Sequence, residues 1–148
     1  VAALLRLQVL DTPGEERFDR ITRLTKRAFG VEISLISLVD DKRQWFKSRQ
    51  GLTACETSRE ISFCGHAILG EDAFVVENAA NDERFQDNPL VVGAPNIRFY
   101  AGHPLADPGG NRLGTLCIID SNPRTFGAAD QAVLRDLAMV AQAELSFV

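Results

Sequence analysis

An α+β fold built on an antiparallel sheet is what this sequence predicts, and three observations carry the prediction. Two apolar stretches are each broken by a strong turn signal, at Asp40-Asp41-Lys42 and at Asp107-Pro108-Gly109-Gly110-Asn111, the pattern of two hairpins. Segments with helical apolar spacing flank them at both ends of the chain. The stretch between the hairpins is too irregular for any long element. The outer helices must therefore bury their stripes on one sheet face, leaving the middle segment to close the other. A layer closed by irregular chain is where a cavity forms.

The elements follow in order. Ala3, Leu4, Leu7 and Leu10 give Ala2 to Leu10 a helical spacing. A second helix is expected from Thr12 as N-cap, with Pro13 as its first residue and Glu15 as the capping-box acid. Phe18, Ile21, Leu24 and Ala28 would form its apolar face, with Arg17, Arg20, Arg23 and Arg27 on the rest and Gly30 as the stop. Ile33 to Val39 reads as a central strand, with Ile33, Leu35 and Val39 facing one way and Ile36 and Leu38 the other. Its partner, Gln44 to Gln50, alternates aromatic and polar residues from Trp45 to Ser48 and reads as the more exposed strand.

Gly51 to Ser58 reads as loop, Ser62 to Leu69 as a short helix capped by Ser62, and Ala73 to Val76 as a short strand. Asn81 to Asn88 reads as a helical turn closed by Asn88-Pro89. Arg98 to Leu105 and Arg112 to Asp120 are the second hairpin. In the latter, Leu113, Thr115, Cys117 and Ile119 would share one face and Leu116 and Ile118 the other. From Gly127 a long helix runs to the end on a stripe of Val133, Leu134, Leu137, Val140, Ala141 and Leu145, with Gly127 as N-cap and Asp130 at its positive end.

At 148 residues, 45% hydrophobic and 24% charged, the chain fits a single globular domain over 1–148. The net charge of −4, with both signs interspersed, argues against nucleic acid and an anionic membrane surface as partners. No apolar run spans a bilayer, and Val1 to Arg6 lacks the plan of a secretory signal. Three cysteines, Cys55, Cys64 and Cys117, form no framework and suit free thiols in a cytoplasmic setting.

Arg59-Glu60-Ile61-Ser62-Phe63-Cys64-Gly65-His66-Ala67-Ile68 is the stretch richest in chemistry. Phe63, Cys64 and His66 are expected to line the cavity, with Arg59 or Arg98 assisting, although a packed Cys64 and a backbone-bonded His66 is the plainer alternative. Phe99 and Tyr100 alternate, so one faces the helices and the other the cavity. Cys64, His66, His103 and Cys117 are residue types that suit tetrahedral zinc, but their spacing is no established ligand pattern, and no metal is expected. By alternation His103 shares a face with Phe99 and Ala101, and Cys117 could share that face. A thiolate nucleophile at Cys64 with His66 as base is geometrically poor, because residues i and i+2 of a helix do not face each other, so no catalytic residue is expected.

Taken together, several runs in this order resemble a bacterial GAF domain: Leu10-Asp11-Thr12-Pro13 with Glu16-Arg17-Phe18-Asp19, Leu38-Val39-Asp40, Trp45-Phe46-Lys47-Ser48 and Arg59 to Ile68. Asp82-Glu83-Arg84-Phe85 with Asn88-Pro89, Arg98-Phe99-Tyr100-Ala101-Gly102, and Gly114 to Asp120 complete the resemblance, which covers nearly the whole chain. It implies a GAF/PAS-like sheet of roughly five to six strands, with the terminal helices on one face and a short helical or loop segment over the other. It further implies a regulatory domain that senses a small molecule or chromophore and sits upstream of a diguanylate cyclase, phosphodiesterase or histidine kinase output domain. Residues 1–12 would be a helical lead-in and 127–148 a signalling helix, with a homodimer formed through these ends. The expected ligand residues are Phe63, Cys64, His66, Arg98, Phe99, Tyr100, His103 and Cys117. The signatures of bilin attachment are absent, no cofactor is specified, and His103, Cys55 and Gly127 depart from the usual pattern. A redox enzyme resembling methionine sulfoxide reductases of the same fold, or a dimerisation module with no ligand, are the competing readings.

Overall fold

The computed structural model describes residues 2–58 and 63–147. Its strands are β1 (Ile33–Val39), β2 (Arg43–Gln50), β3 (Glu56–Ser58), β4 (Phe74–Val76), β5 (Phe99–Ala106) and β6 (Arg112–Asp120). They form one six-stranded sheet in the order β3-β2-β1-β6-β5-β4, with every neighbouring pair antiparallel. The two expected hairpins lie side by side through β1 and β6, the strands that are apolar on both faces. β3 arises within the stretch expected to be loop, pairing Trp45 with Glu56.

On one face pack the helices α1 (Ala2–Leu7), α2 (Glu16–Phe29) and α5 (Ala128–Leu145). The other is roofed by α3 (Cys64–Ala67), a 3-10 turn at Ala79–Asn81, α4 (Pro89–Val92) and the loops between them. Among the described residues no helix is long and apolar enough to cross a membrane.

The helical face corrects several expectations. Helix α2 begins at Glu16, not Pro13, and Thr12 does not cap it. Lys47, its side chain fully buried, recruits that linker: its ammonium donates to Thr12 Oγ1 and the Pro13 carbonyl and pairs with Glu15, each at 2.7 Å. It also lies 5.6 Å from the centroid of the Phe18 ring. A buried ammonium needs this many oxygens, and meeting that need outweighs one helix cap. The buried face of α2 is Phe18, Ile21, Thr22 and Thr25, while Leu24 is 55% exposed and Ala28 is exposed. Gly30, at φ 64°, ends the helix as expected, donating its N–H to the Lys26 carbonyl.

Strand β2 is not the exposed one: Trp45, Phe46, Lys47 and Ser48 are all buried. A bulge explains it. Ile36 pairs with Ser48 and Ser37 with Phe46, so Lys47 is the extra residue, and Lys47 and Ser48 both face α2. There Ser48 shares a hydrogen bond with Thr22 (2.8 Å) and donates to Asp19 (2.6 Å). A second bulge, at Leu113, puts that side chain with Leu116 and Ile118 on the helical face, while Cys117 and Ile119 take the other.

Helix α5 buries Leu134, Ala138, Ala141 and Leu145 and leaves Val133 (46%) and Val140 (53%) exposed. The small Ala138 and Ala141 let its backbone approach the sheet, which turns the stripe away from the valines. The α1 edge is taken up within the domain: Ala3 and Leu4 are buried in the helical core, with Leu7 and Leu10 packed against it. The lead-in is part of the domain's own core.

A cavity roofed by short helices, with a buried thiol pair between roof and sheet

The cavity face of the sheet is built from the side chains that alternate away from the helices. Ile33 and Leu35 of β1, Gln44 and Phe46 of β2, Tyr100 of β5 and Ile119 of β6 line a cavity of about 370 Å³. Its roof and rim come from Gly51 to Ala54, Thr57, Phe63, Cys64, Leu90, Ala94, Pro95 and Ile97. Asn88 caps α4 by accepting the Leu90 N–H (2.8 Å), with Pro89 in the first turn. Arg98 ties α4 down, donating from Nη1 to the carbonyls of Val91 (2.8 Å) and Ile97 (3.0 Å).

Of the residues expected at the site, Phe63, Cys64 and Tyr100 line the cavity. Phe63 stacks on Phe85, with centroids 4.1 Å apart and planes at 12°, and lies against Tyr100 at 5.2 Å. The others are elsewhere. His66 is exposed, flanked by Phe74 (5.9 Å) and Phe85 (5.0 Å). Cys64 and Ala67, three apart on α3, take the inward positions, so His66 between them turns out. Arg98 buttresses the roof from outside. Phe99 packs against Phe126 in the helical core, 5.4 Å between centroids. His103 is also on the helical face, beside Met139 and Gln142, with Nδ1 2.9 Å from the Pro104 carbonyl oxygen. Cys117 sits beneath Cys64 on the cavity face, opposite His103, so the two do not share a face. Arg59 lies outside the described residues. The four metal-suited residues are thus split across the sheet, and among the described residues no group of three or more potential ligands gathers.

Besides Gln44 and Thr57, the cavity has a polar point where the roof meets the sheet at Cys64. Cys64 Sγ accepts hydrogen bonds from the hydroxyls of Tyr100 and Thr115, both at 3.0 Å, and stands 3.9 Å from Cys117 Sγ. A Cβ at Gly102 would overlap the Tyr100 hydroxyl, so that glycine is what lets the ring fold back over its own strand to reach the sulfur. Burial alone would push the Cys64 thiol up. Hydrogen bonds available from Cys117, Thr115, Tyr100 and Ser37 outweigh burial and hold it at about 7. Cys117 is pushed well up, by burial first and then by its bond to Cys64 and the charge that Cys64 carries when ionised.

Gln44, Phe46, Leu52, Thr53, Thr57, Leu90 and Ile97 were not among the expected site residues. Gln44 carried one usable signal, a polar side chain two residues before the apolar Phe46 on the same strand; it is buried and bonds Ser37 and Thr57. The loop residues carried none.

This arrangement of sheet, terminal helices and short-helix roof matches a family. The GAF domain model covers residues 13–145, and the chain belongs to the GAF family, whose members are generally sensory and regulatory. The chain is 43% identical over 141 residues to a cyclic di-GMP phosphodiesterase of Pseudomonas aeruginosa, covering 95% of this chain and 24% of that protein. It thus spans about a quarter of that relative's length. Among solved structures, the GAF domain of an Acinetobacter phosphoenolpyruvate-protein phosphotransferase superposes with a TM-score of 0.75 at 19% identity, covering 99% and 92% of the two chains. A free methionine-R-sulfoxide reductase from Neisseria meningitidis, solved with its substrate, gives 0.70 at 20% identity, covering 97% and 87%. A domain of a putative sensor histidine kinase from Sinorhizobium meliloti gives 0.65 at 15%, covering 88% and 90%. Identities this low carry the fold alone.

Proposed function

We propose that the domain is a cytoplasmic small-molecule receptor without catalysis of its own, relaying occupancy of its cavity to an output domain in the same chain. The observation that carries this is the cavity itself: about 370 Å³, walled by Ile33, Leu35, Phe46, Leu52, Ile97 and Ile119. Apart from the Cys64 thiol, no readily ionised side chain is among its described lining. The fitting ligand is therefore neutral and largely apolar, with a hydrogen-bonding end toward Gln44 and Thr57, because an ion would be desolvated there without a counter-charge.

Relay has a direct route. Leu35 and Ile119 face the cavity, and their strand neighbours Ile36 and Ile118 face the helices, so a shift of β1 or β6 under a ligand is felt by α2 and α5. A ligand that binds one arrangement better by a factor of ten biases the equilibrium by about 1.4 kcal/mol. The output is inferred to be a cyclic di-GMP enzyme or a kinase, from the names of the relatives, and dimerisation through exposed parts of the terminal helices would carry the signal across.

The test uses N-phenyl-1-naphthylamine, a neutral dye that fluoresces in apolar sites. Native mass spectrometry of freshly purified protein accompanies it. The expected result is a saturable fluorescence rise that Leu35→Trp, which fills the cavity, abolishes while the protein stays folded. Equal dye binding by both proteins ends the reading.

A further inference from the structure

The receptor reading leaves the thiol in the cavity roof and the one beneath it without a task. Cys64 lines the cavity, while Cys117 is fully buried directly behind it and Cys55 is exposed on the loop before β3. Two hydroxyl donors and a second sulfur converge on the single atom Cys64 Sγ. Packing alone would place an apolar surface against a small buried residue. Here the neighbours are instead the set that stabilises a negative sulfur.

We propose that Cys64 and Cys117 are a peroxide-reactive pair: a hydroperoxide entering the cavity oxidises Cys64, and Cys117 resolves the product to an intramolecular disulfide. The Cys64 thiolate attacks one peroxide oxygen, forming an S–O bond as the O–O bond breaks. The departing oxygen takes a proton and leaves as water, or as an alcohol from an organic peroxide. The Cys117 sulfur then attacks Cys64 Sγ, and the S–O bond breaks. Hydroxide leaves with the Cys117 proton as a second water. Two electrons pass from the pair of sulfurs to the peroxide, and a dithiol reductant reverses the change.

The roles are ordered by position. A molecule in the cavity meets Cys64 first, and the donors that hold its charge are already aimed at it. Cys117, shielded and kept protonated, is placed only to resolve. The gap to close runs from 3.9 Å to about 2.05 Å. The movable partner is α3, four residues long, rather than central strand β6. Closing it draws the cavity roof toward the floor and removes the polar group there, so oxidation alters the same space a ligand would occupy. The pair needs only the opening, not a bound ligand, so failure of dye binding leaves it standing and its own failure leaves the receptor reading intact.

The experiment starts from Cys55→Ser, which removes the exposed thiol and intermolecular bridges. After hydrogen peroxide, denaturation and maleimide labelling, the expected mass shows two hydrogens lost and no label. Dithiothreitol restores two labels. In Cys55→Ser with Cys117→Ser, dimedone should trap one adduct on Cys64, and with Cys64→Ser it should trap none on Cys117. Tyr100→Phe removes one donor and should slow oxidation several-fold near neutral pH, the difference narrowing as the pH rises and Cys64 ionises in both proteins. A merely structural tyrosine would shift the melting curve without that pH dependence. Two maleimide labels after peroxide, no dimedone adduct without Cys117, or an adduct on Cys117 itself overturns the proposal.

Discussion

The two faces of one sheet are built on opposite plans. Against the helical face, α2 and α5, of 14 and 18 residues, lay continuous stripes on Ile36, Leu116 and Ile118, and buried Lys47, Ser48, Thr22 and Thr25 find partners, while the Ser34 hydroxyl has none among the described residues. Against the other face lie helices of only four residues each, joined by loops. Short elements cannot lay down a stripe, so they stack aromatic rings around an opening. Stability is concentrated on one side, and that is what allows the other to stay unfilled and responsive.

The largest expected break in that comparison comes from equal truncations on the two faces. Leu116→Ala, in the filled layer, should cost about 3–5 kcal/mol, because the cavity it leaves cannot collapse. Leu35→Ala, which borders an opening already present, should cost nearer 2 kcal/mol. Urea unfolding of both variants measures the gap, and equal losses would mean that the two layers are packed alike.

Lys47→Met sharpens the helical side. It strands the oxygens of Thr12 and Pro13, and because Glu15 is 40% exposed the expected loss is about 2 kcal/mol, less than for a fully buried pair. The pH dependence follows. The Lys47 hydrogen bond holds the Glu15 carboxyl below its usual 4.5, outweighing the opposing effect of desolvation. A lowered acid contributes its full stability above 4.5 and loses it as the pH falls through its folded value. The gap between wild type and Lys47→Met should therefore be widest near neutral pH and narrow below about 4.5. A gap constant with pH would separate Lys47 from Glu15.

How far each face was legible follows the same division. Both hairpins were readable, since alternation and Gly/Pro/Asx turns are local signals, and so was the opposition of Phe99 and Tyr100. The bulges at Lys47 and Leu113 were not, because a bulge is settled by the partner strand and each one reverses the facing of its neighbours. That is why Lys47 looked solvated and Leu113 was placed beside Cys117. On the cavity side, Cys64 could be found from its sequence neighbourhood. His66 misled because a four-residue helix has room for only two inward positions. The rim residues Leu52, Leu90 and Ile97 come from loops whose spacing encodes nothing about the volume they enclose.

A smaller effect tests the roof. Arg98→Ala removes two charge-assisted bonds to the Val91 and Ile97 carbonyls and should cost about 1–2 kcal/mol. Its sharper signature is local: amide exchange over α4 should rise while α5 is unchanged. A uniform rise across both helices would mean that the two layers open together and that the comparison between them fails.

The smallest effect on folding should carry the largest on assembly. Val133 and Val140 are seven residues apart on α5, on one side of the helix and turned from the core, with Phe147, 77% exposed, just beyond its end. Val140→Glu buries nothing new and should shift stability by no more than about 0.5 kcal/mol. If terminal helices pair two copies, as proposed for carrying the signal across, the same change puts like charges across the contact and should dissociate it. Light scattering over a concentration series decides: a wild-type dimer that Val140→Glu converts to monomer supports the pairing. A wild type that stays monomeric at high concentration confines any relay to the single chain, through β1 and β6 into α5.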